Sequence, residues 1–128
     1  MTIYFAAPWK HRDAARLARD QFEAAGIHVN SRWLDFNIST TDENNPEVLR
    51  QEAENDITDL IQVDAFVVWN LDISEGKACE TGIALMLGIP IISVGQGRNV
   101  FLHLTQVNRV DTIDDAIAAL HNLPNHRF

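Results

Sequence analysis

A single carboxylate, Glu80, lies at a position suited to catalysis in the segment VDAFVVWNLDISEGKACETGIALMLGIPIISVG at residues 63–95. The apolar run at 65–69 is typical of a strand, and after a polar turn comes a helix that carries Glu80 in its second turn. Open α/β sheets hold their ligands beside the carboxyl ends of parallel strands. A carboxylate there suits a nucleophile or a general base, so an enzyme is the leading hypothesis.

The helix around Glu80 is almost uniformly apolar between Ala78 and Leu87. Such a helix has no solvent face of its own, so one side is expected to pack on the sheet and another on a second subunit. An ionised carboxylate in this setting needs donors or a charged partner. The helix N-terminus offers some compensation, and Lys77 lies one turn earlier. A purely structural ion pair between Lys77 and Glu80 is the alternative.

Asp56 is the second carboxylate of interest, because it interrupts the inward stripe of its helix. The stripe consists of Leu49, Ala53, Asp56 and Leu60, at spacings of four, three and four. An acid in this stripe is either hydrogen-bonded for structural reasons or directed into a site. Glu54 and Asp59 fall outside the stripe and are expected to be solvated.

Other candidates lie near the ends of the predicted strands. Tyr4 would lie in a central strand, where a buried hydroxyl needs a partner. Trp9 and Trp33 fall near carboxyl ends of strands, where a planar ligand could stack, although tryptophans are more often core residues. Asp72 is a turn residue or a contact for a ligand hydroxyl, and Ser74 is most simply a helix N-cap.

Charge and composition restrict the class of partner. The net charge of −8 repels phosphate backbones, so nucleic acid is not an expected partner. Lys10, His11 and Arg12 nevertheless lie together after the first strand, where they either hold a small anion or begin a solvated helix. The histidines show no metal-ligand spacing, and the single cysteine, Cys79, argues against a disulfide or a zinc site.

The chain as a whole is expected to form one domain over residues 1–128. Its length and its hydrophobic share of 46% are enough for a single core. No apolar run reaches the length of a membrane span, and the N-terminus lacks the pattern of a signal peptide. A cytoplasmic protein is therefore expected.

Strands and helices alternate along the chain. The predicted strands are 2–7, 27–33, 65–69, 90–94 and 107–110, and the predicted helices are 13–25, 46–62, 75–87 and 113–121. Residues 34–45 are predicted to form a mobile loop, and a short turn of helix or coil is expected near 100–104. This alternation predicts an α/β domain of the flavodoxin-like or Rossmann-like kind, with a five-stranded parallel sheet in the order 2-1-3-4-5 and helices on both faces. Its crevice, between strands 1 and 3, would bring the ends of those strands to the Glu80 helix.

With these residues placed, the chain resembles the nucleoside 2-deoxyribosyltransferase family, including its nucleotide N-glycosidase relatives. IYFAAPW looks like the first strand of the family, with Tyr4 as its tyrosine, and NDITDLIQVDAFVV carries Asp56 at the acid position. SEGKACETGIALMLGIPII looks like the nucleophile helix, with Glu80 as its glutamate. Asn99–Phe101 is similar to the segment by which a neighbouring subunit completes the pocket. The match covers most of the chain, but its specificity is concentrated in ETGIAL and the spacing upstream.

The resemblance implies a double displacement at the anomeric carbon of a 2′-deoxynucleoside, in a pathway of nucleotide salvage. Glu80 would attack the sugar and expel the base, and a second base or water would release the sugar from the glutamyl ester. Asp56 would help to protonate or orient the leaving base, and Tyr4 would orient Glu80 by a hydrogen bond. Trp9 or Trp33 would flank the base. The resemblance implies no cofactor, and it implies a homodimer or higher homo-oligomer with composite sites.

The sequence departs from the family pattern at the sugar site. Six residues before the glutamate, where transferases often have an aspartate, this chain has Ser74, as do relatives that act on 5′-monophosphates. With Lys10 and Arg12 nearby, an N-glycosidase of (deoxy)nucleoside 5′-monophosphates is the first alternative. Those hydrolases usually have a glycine-rich first loop, which PWKHRD is not. A non-catalytic module that binds or senses nucleotides is the second alternative.

Overall fold

Five parallel strands form the centre of the computed structural model, which describes residues 1–37 and 43–124. They follow the order β2-β1-β3-β4-β5 and all their pairings are parallel. The strands are β1 (Thr2–Ala6), β2 (His28–Val29), β3 (Ala65–Trp69), β4 (Ile91–Val94) and β5 (Val107–Val110). The predicted fold class and strand order are therefore confirmed.

Four helices connect or follow the strands, namely α1 (Arg12–Ala24), α2 (Pro46–Leu60), α3 (Glu75–Leu87) and α4 (Ile113–His121). Short 3₁₀ turns occur at Trp9–His11, Arg32–Asp35 and Val100–His103. Right-handed crossovers put α2 and α3 on one face of the sheet and α1 on the other. None of the described helices combines the length and the apolar character that crossing a membrane requires.

Local side-chain bonds explain where the helices begin and end. Asn45 caps α2 by accepting a hydrogen bond from the Glu47 amide at 3.0 Å, and Pro46 occupies the first helical position. Ser74 caps α3 through the Lys77 amide at 3.3 Å. At the other end of α3, Gly88 adopts a φ of 68°, a conformation that glycine takes without steric cost.

The second strand is much shorter than the predicted strand at 27–33. It ends at Val29, and a 3₁₀ turn follows at Arg32–Asp35. Beyond Val29, side chains form the hydrogen bonds along this edge of β1. Ser31 Oγ accepts a hydrogen bond from the Phe5 amide at 2.8 Å, and Trp33 Nε1 donates one to the Phe5 carbonyl at 2.8 Å. Because both backbone groups of Phe5 are satisfied in this way, β2 need not continue. Of the predicted loop at 34–45, residues 38–42 lie outside the described residues.

The two central strands position the candidate site. Each residue from Ile3 to Ala6 and from Ala65 to Val68 is buried, as expected for strands covered on both faces. Ala6 pairs with Val68, so β1 and β3 end at the same edge of the sheet. The loops that follow them therefore meet, and α2 and α3 contact each other beside this edge.

Candidate active site

A pocket of about 310 Å³ opens at the carboxyl ends of β1 and β3, between α2 and α3. Its wall contains three carboxyl groups, those of Glu52, Asp56 and Glu80, together with Trp9, Trp33 and Ser74. Carboxyl groups and indole rings thus share one cavity. Five of these six were predicted as site residues, and Glu52 was not.

Glu80 is held by a residue from the centre of the sheet. The Tyr4 side chain is fully buried, and its hydroxyl donates a hydrogen bond to Glu80 Oε2. The pKa of Glu80 is raised to about 8, mainly by burial and to a lesser extent by the charges of Asp56 and Glu52, whereas the hydrogen bond from Tyr4 lowers it. The predicted hydrogen bond between Tyr4 and Glu80 is confirmed.

Tyr4 itself stays neutral at any ordinary pH. Its burial and the neighbouring Glu80 and Asp56 charges raise the pKa of its hydroxyl well above the usual range. A neutral hydroxyl with one acceptor is a fixed donor. Tyr4 therefore orients one oxygen of Glu80 and leaves the other oxygen for the pocket.

Asp56 is half-buried on α2, and burial is the main reason that its pKa is raised to about 7. The charges of Glu52 and Asp59 add to this effect, and Arg32 opposes it. Burial also raises the pKa of Glu52, which lies one turn earlier on the same helix. Sequence reasoning missed Glu52, although its spacing of four residues from Asp56 was a usable signal.

The predicted stripe on α2 is wrong at several positions. Leu49 is 46% exposed and Ala53 is also exposed, whereas Asp59, expected to be solvated, is only 4% exposed. Asp59 accepts hydrogen bonds from the backbone amide and the Nε of Arg32, both at 2.9 Å. Because the Arg32–Asp35 turn packs on this side of α2 and neutralises the carboxylate, the buried face is rotated towards Asp59.

Lys77 does not pair with Glu80. Its Nζ donates to Asn70 Oδ1 at 3.2 Å and to the carbonyl of Asp72 at 2.8 Å. Burial lowers the pKa of this ammonium group. The structural ion pair considered from the sequence is therefore wrong, since Lys77 instead holds the loop between β3 and α3.

The two tryptophans differ in exposure. Trp33 is buried and is bound to Phe5 through its indole nitrogen, whereas Trp9 is 44% exposed at the rim of the pocket. Their ring centroids are 6.4 Å apart, with planes inclined by 43°. The guanidinium of Arg12 lies 4.1 Å from the Trp9 ring centroid and its Nη1 donates to the Phe36 carbonyl at 2.7 Å. Arg12 thus stiffens the aromatic wall.

The remaining predicted residues lie outside this pocket. Lys10 forms an ion pair with Asp72, and that contact lowers the pKa of Asp72 to about 2. Asp72 and Asn99 line a neighbouring cavity of about 440 Å³, which shares Ser74 and Lys77 with the first. Asn99 caps the turn at Val100–His103, and the Phe101 side chain is exposed. In residues 1–37 and 43–124, no cluster of histidine, cysteine or acidic side chains could hold a metal ion.

Solved structures share this fold, although no protein-family model and no curated protein matches the chain. A 2-deoxyribosyltransferase from Bacillus psychrosaccharolyticus aligns with a TM-score of 0.72 and 19% identity, over 98% of this chain and 93% of its own. A conserved protein from Enterococcus faecalis aligns with a TM-score of 0.68 and 17% identity, over 94% of this chain and 97% of its own. A CMP N-glycosidase from Clostridium botulinum aligns with a TM-score of 0.62 and 15% identity, over 96% of this chain and 100% of its own. Both kinds of enzyme in the resemblance noted from the sequence thus have this architecture.

Proposed function

We propose that this protein cleaves the N-glycosidic bond of a 2′-deoxynucleoside and transfers the deoxyribosyl group to another nucleobase or to water. The observation that carries the proposal is the hydrogen bond from Tyr4 to Glu80, in a pocket that Glu80 shares with Asp56. One carboxyl group is thereby oriented for attack and a second lies near enough to influence its ionisation. The similarity in fold to a deoxyribosyltransferase and to a CMP N-glycosidase supports the same reaction class.

In the first half-reaction, ionised Glu80 attacks the anomeric carbon with its free oxygen. The bond from carbon to the base nitrogen breaks, its electron pair leaves with the base, and Asp56 donates the proton that neutralises the base. The products are a glutamyl sugar ester, a free base and ionised Asp56. A protonated Asp56 is available for this step because its pKa is raised to about 7.

In the second half-reaction, Asp56 takes a proton from the incoming base or water as that molecule attacks the anomeric carbon. The ester bond breaks and its electron pair returns to Glu80. The transition states of both steps resemble an oxocarbenium ion, which carries positive charge. A pocket with three carboxyl groups favours that charge electrostatically.

The walls of the pocket suit a flat base attached to a sugar. Trp9 offers an exposed indole beside Trp33, so a base can lie against the aromatic wall while its sugar faces Glu80. Asp72, which lines the neighbouring cavity, is the proposed contact for a sugar hydroxyl, and Ser74, which lies at the edge that the two cavities share, is the proposed contact for a 5′-phosphate. Lys10 already forms an ion pair with Asp72, so an anionic group of the substrate would have to share the Lys10 ammonium group with the Asp72 carboxylate.

A 5′-monophosphate is the second candidate substrate, for an N-glycosidase that hydrolyses the same bond. The observation in its favour is Ser74, which caps α3 at the edge of the pocket, where backbone amides and the helix dipole attract a phosphate. Lys77, also in the wall, adds positive charge.

We also propose that the protein works in the cytoplasm as a homo-oligomer, in which Asn99 and Phe101 complete the site of a second copy. The supporting observation is the exposed Phe101 side chain beside the neighbouring cavity. An exposed aromatic ring next to a groove is typical of an interface.

Replacement of the nucleophile tests the reaction. Purified protein is incubated with a panel of deoxynucleosides, with and without an acceptor base, and with the corresponding monophosphates, while base release is followed chromatographically. We expect Glu80→Gln to lower base release about a thousandfold or more, because its amide cannot form the ester. Mass spectrometry of wild-type protein mixed with substrate should show a deoxyribosyl adduct that the variant lacks.

Glu75→Gln is the matched control, since Glu75 is an exposed glutamate on the same helix. It should retain wild-type base release. Equal activity of wild type and Glu80→Gln would disprove the mechanism. Tight binding of nucleotides by the wild type without any base release would favour the non-catalytic module instead.

A further inference from the structure

Two carboxyl groups on α2 lie one turn apart and face the same pocket as Glu80. Glu52 Oε1 and Asp56 Oδ1 are both buried, and as carboxylate oxygens neither has a hydrogen-bond donor among the described residues. The two carboxyl groups nevertheless lie within hydrogen-bond reach of each other. A buried acceptor without a donor is costly, so the arrangement calls for a donor.

A single proton between the two groups supplies that donor. One carboxyl then carries an O–H that donates to the other, and both orphaned oxygens are satisfied by one short, charge-assisted bond. Two ionised carboxylates at this separation would instead repel each other in a partly desolvated setting.

Among the described residues, the ionisable groups that act on the pair already have partners of their own. The Tyr4 hydroxyl on β1 is bound to Glu80 of α3, and Asp59 on α2 is an acceptor already bound by Arg32. The charge of Arg32 acts on both members of the pair, but its Nε is bound to Asp59. Lys77 and Cys79 of α3 also line the pocket, and the Lys77 ammonium group is bound to Asn70 and to the Asp72 carbonyl. Arg32 and Asp59 are the described residues outside the pair whose charges act on both of its members.

We propose that Glu52 and Asp56 share one proton, and that Glu52 is a positioning residue which keeps Asp56 protonated until the departing base takes that proton. This inference rests on the proposed function. Asp56 is the member that holds the proton, because the bond raises the pKa of Asp56 and lowers that of Glu52. Glu52 remains the ionised acceptor and does not touch the reacting atoms.

This arrangement keeps the charge of the pocket constant during the first half-reaction. Before attack, Glu52 and Glu80 are ionised and Asp56 is neutral. After attack, Glu80 is a neutral ester, and Asp56 is ionised because its proton has gone to the base. The number of negative charges is two in both states, so the step adds no charge to a partly desolvated site. The repulsion between ionised Glu52 and Asp56 after the step favours the return of a proton to Asp56 in the second half-reaction.

The proton-sharing pair also sets the amount of active enzyme. The productive form has Asp56 protonated and Glu80 ionised, and their pKa values lie at about 7 and about 8. The productive fraction is therefore largest in the pH range between the two pKa values, and it is a minor part of the enzyme there. Any loss of proton affinity at Asp56 reduces this fraction.

The first test measures proton affinity without using activity. Protein labelled with ¹³C at the aspartate carboxyl carbons is titrated by NMR, and the Asp56 resonance is assigned with Asp56→Asn. In Glu52→Gln, the side-chain amide donates to an ionised Asp56, so the Asp56 titration should move to lower pH. In Glu54→Gln, which alters an exposed glutamate of the same helix, it should not move.

The second test follows kcat/KM against pH for the same variants. In Glu52→Gln the acid side of the profile should shift to lower pH, and the maximum should fall roughly 5- to 10-fold for each unit by which the pKa of Asp56 falls more than that of Glu80. Thermal unfolding checks that the isosteric variant is folded. An Asp56 titration that is unchanged in folded Glu52→Gln overturns the inference. Absence of base release from wild-type protein would overturn the proposed function but leave the NMR result to decide the shared proton.

Discussion

The Tyr4 hydroxyl and Glu80 form a buried contact that links the centre of the sheet to the pocket. The hydroxyl opposes the effect of burial on Glu80, since a donated hydrogen bond stabilises the ionised form. The proposed nucleophile therefore depends on a residue that the substrate need not touch. Asp56 and Glu52 act in the other direction by raising the pKa of Glu80.

Removal of the Tyr4 hydroxyl should change the alkaline side of the pH profile. In Tyr4→Phe the pKa of Glu80 should rise above about 8, because its donor is lost while burial and the neighbouring charges remain. We expect the alkaline limb of kcat/KM to move to higher pH and the maximum to fall by about tenfold or more. The phenyl ring can keep its stacking on Phe66, so the variant should fold, but it should unfold at a lower temperature than the wild type because a buried oxygen of Glu80 loses its donor.

Glu52→Gln provides the contrast, because it should move the acid limb to lower pH. Loss of the Glu52 charge also lowers the pKa of Glu80, so any movement of the alkaline limb in this variant should be to lower pH as well, opposite to Tyr4→Phe. This combination of movements would assign the two ionisations to Glu80 and Asp56. An alkaline limb that is the same in Tyr4→Phe and wild type would contradict the role given to Tyr4.

At the scale of elements, α3 determines the position of Glu80, the proposed nucleophile. Ser74 sets the first residue of the helix, and the Lys77 side chain fastens the preceding loop to Asn70, which in turn donates to Ser93 Oγ on β4 at 2.7 Å. Glu80 then follows in the second turn, beside the end of β1. The helix start, and with it the position of Glu80, is thus tied to two strands.

A pair of cap variants separates the structural role of Ser74 from a role in binding. Ser74→Ala and Thr112→Ala each remove an N-cap hydroxyl, from α3 and α4 respectively, and each should lower the free energy of unfolding by about 1 kcal/mol. Chemical denaturation measures both. For a deoxynucleoside, kcat/KM per folded molecule should stay within about twofold of the wild-type value in both variants.

Monophosphate substrates decide whether Ser74 does more than cap the helix. A loss of kcat/KM in Ser74→Ala that is confined to monophosphate substrates would favour the N-glycosidase alternative. Only those substrates carry a 5′-phosphate for Ser74 to bind. A loss of nucleoside activity in Thr112→Ala would mean that the activities report general destabilisation.

At the scale of the whole molecule, exposed apolar side chains gather near the end of the sheet that holds the neighbouring cavity. Phe101 is 57% exposed, and Val100 and Ile73 are exposed as well. Residues 99 and 102 on one side and residues 71–74 on the other line the same cavity. A surface of this kind is expected to be covered in a working assembly.

A charge introduced at Phe101 should break the proposed assembly. Light scattering of the wild type should show at least a dimer at working concentration, whereas Phe101→Asp should move the population towards the monomer and lower base release. Leu17→Asp is the matched control, because Leu17 is an exposed leucine of α1, on the opposite face of the sheet. It should change neither property. A monomeric wild type with full activity would contradict the composite site.

The sequence by itself was sufficient for the architecture. The bounds of α3, β5 and α4 were predicted to the residue, because capping side chains, glycine at helix ends and runs of apolar residues act within a few positions along the chain. The alternation of strands and helices along the chain was enough to predict the order of the strands in the sheet. The juxtaposition of Tyr4 and Glu80 followed from that order, together with the resemblance to a known family.

Only the tertiary structure decided the partners of the charged residues. Whether Asp59 is solvated depends on the Arg32–Asp35 turn, and whether Lys77 reaches Glu80 depends on Asn70 at the end of a neighbouring strand. Glu52 became a candidate once both it and Asp56 were seen without donors in one pocket. The physical reason is that burial and pairing of charges arise from contacts between residues far apart in the chain, whereas helix and strand signals are local.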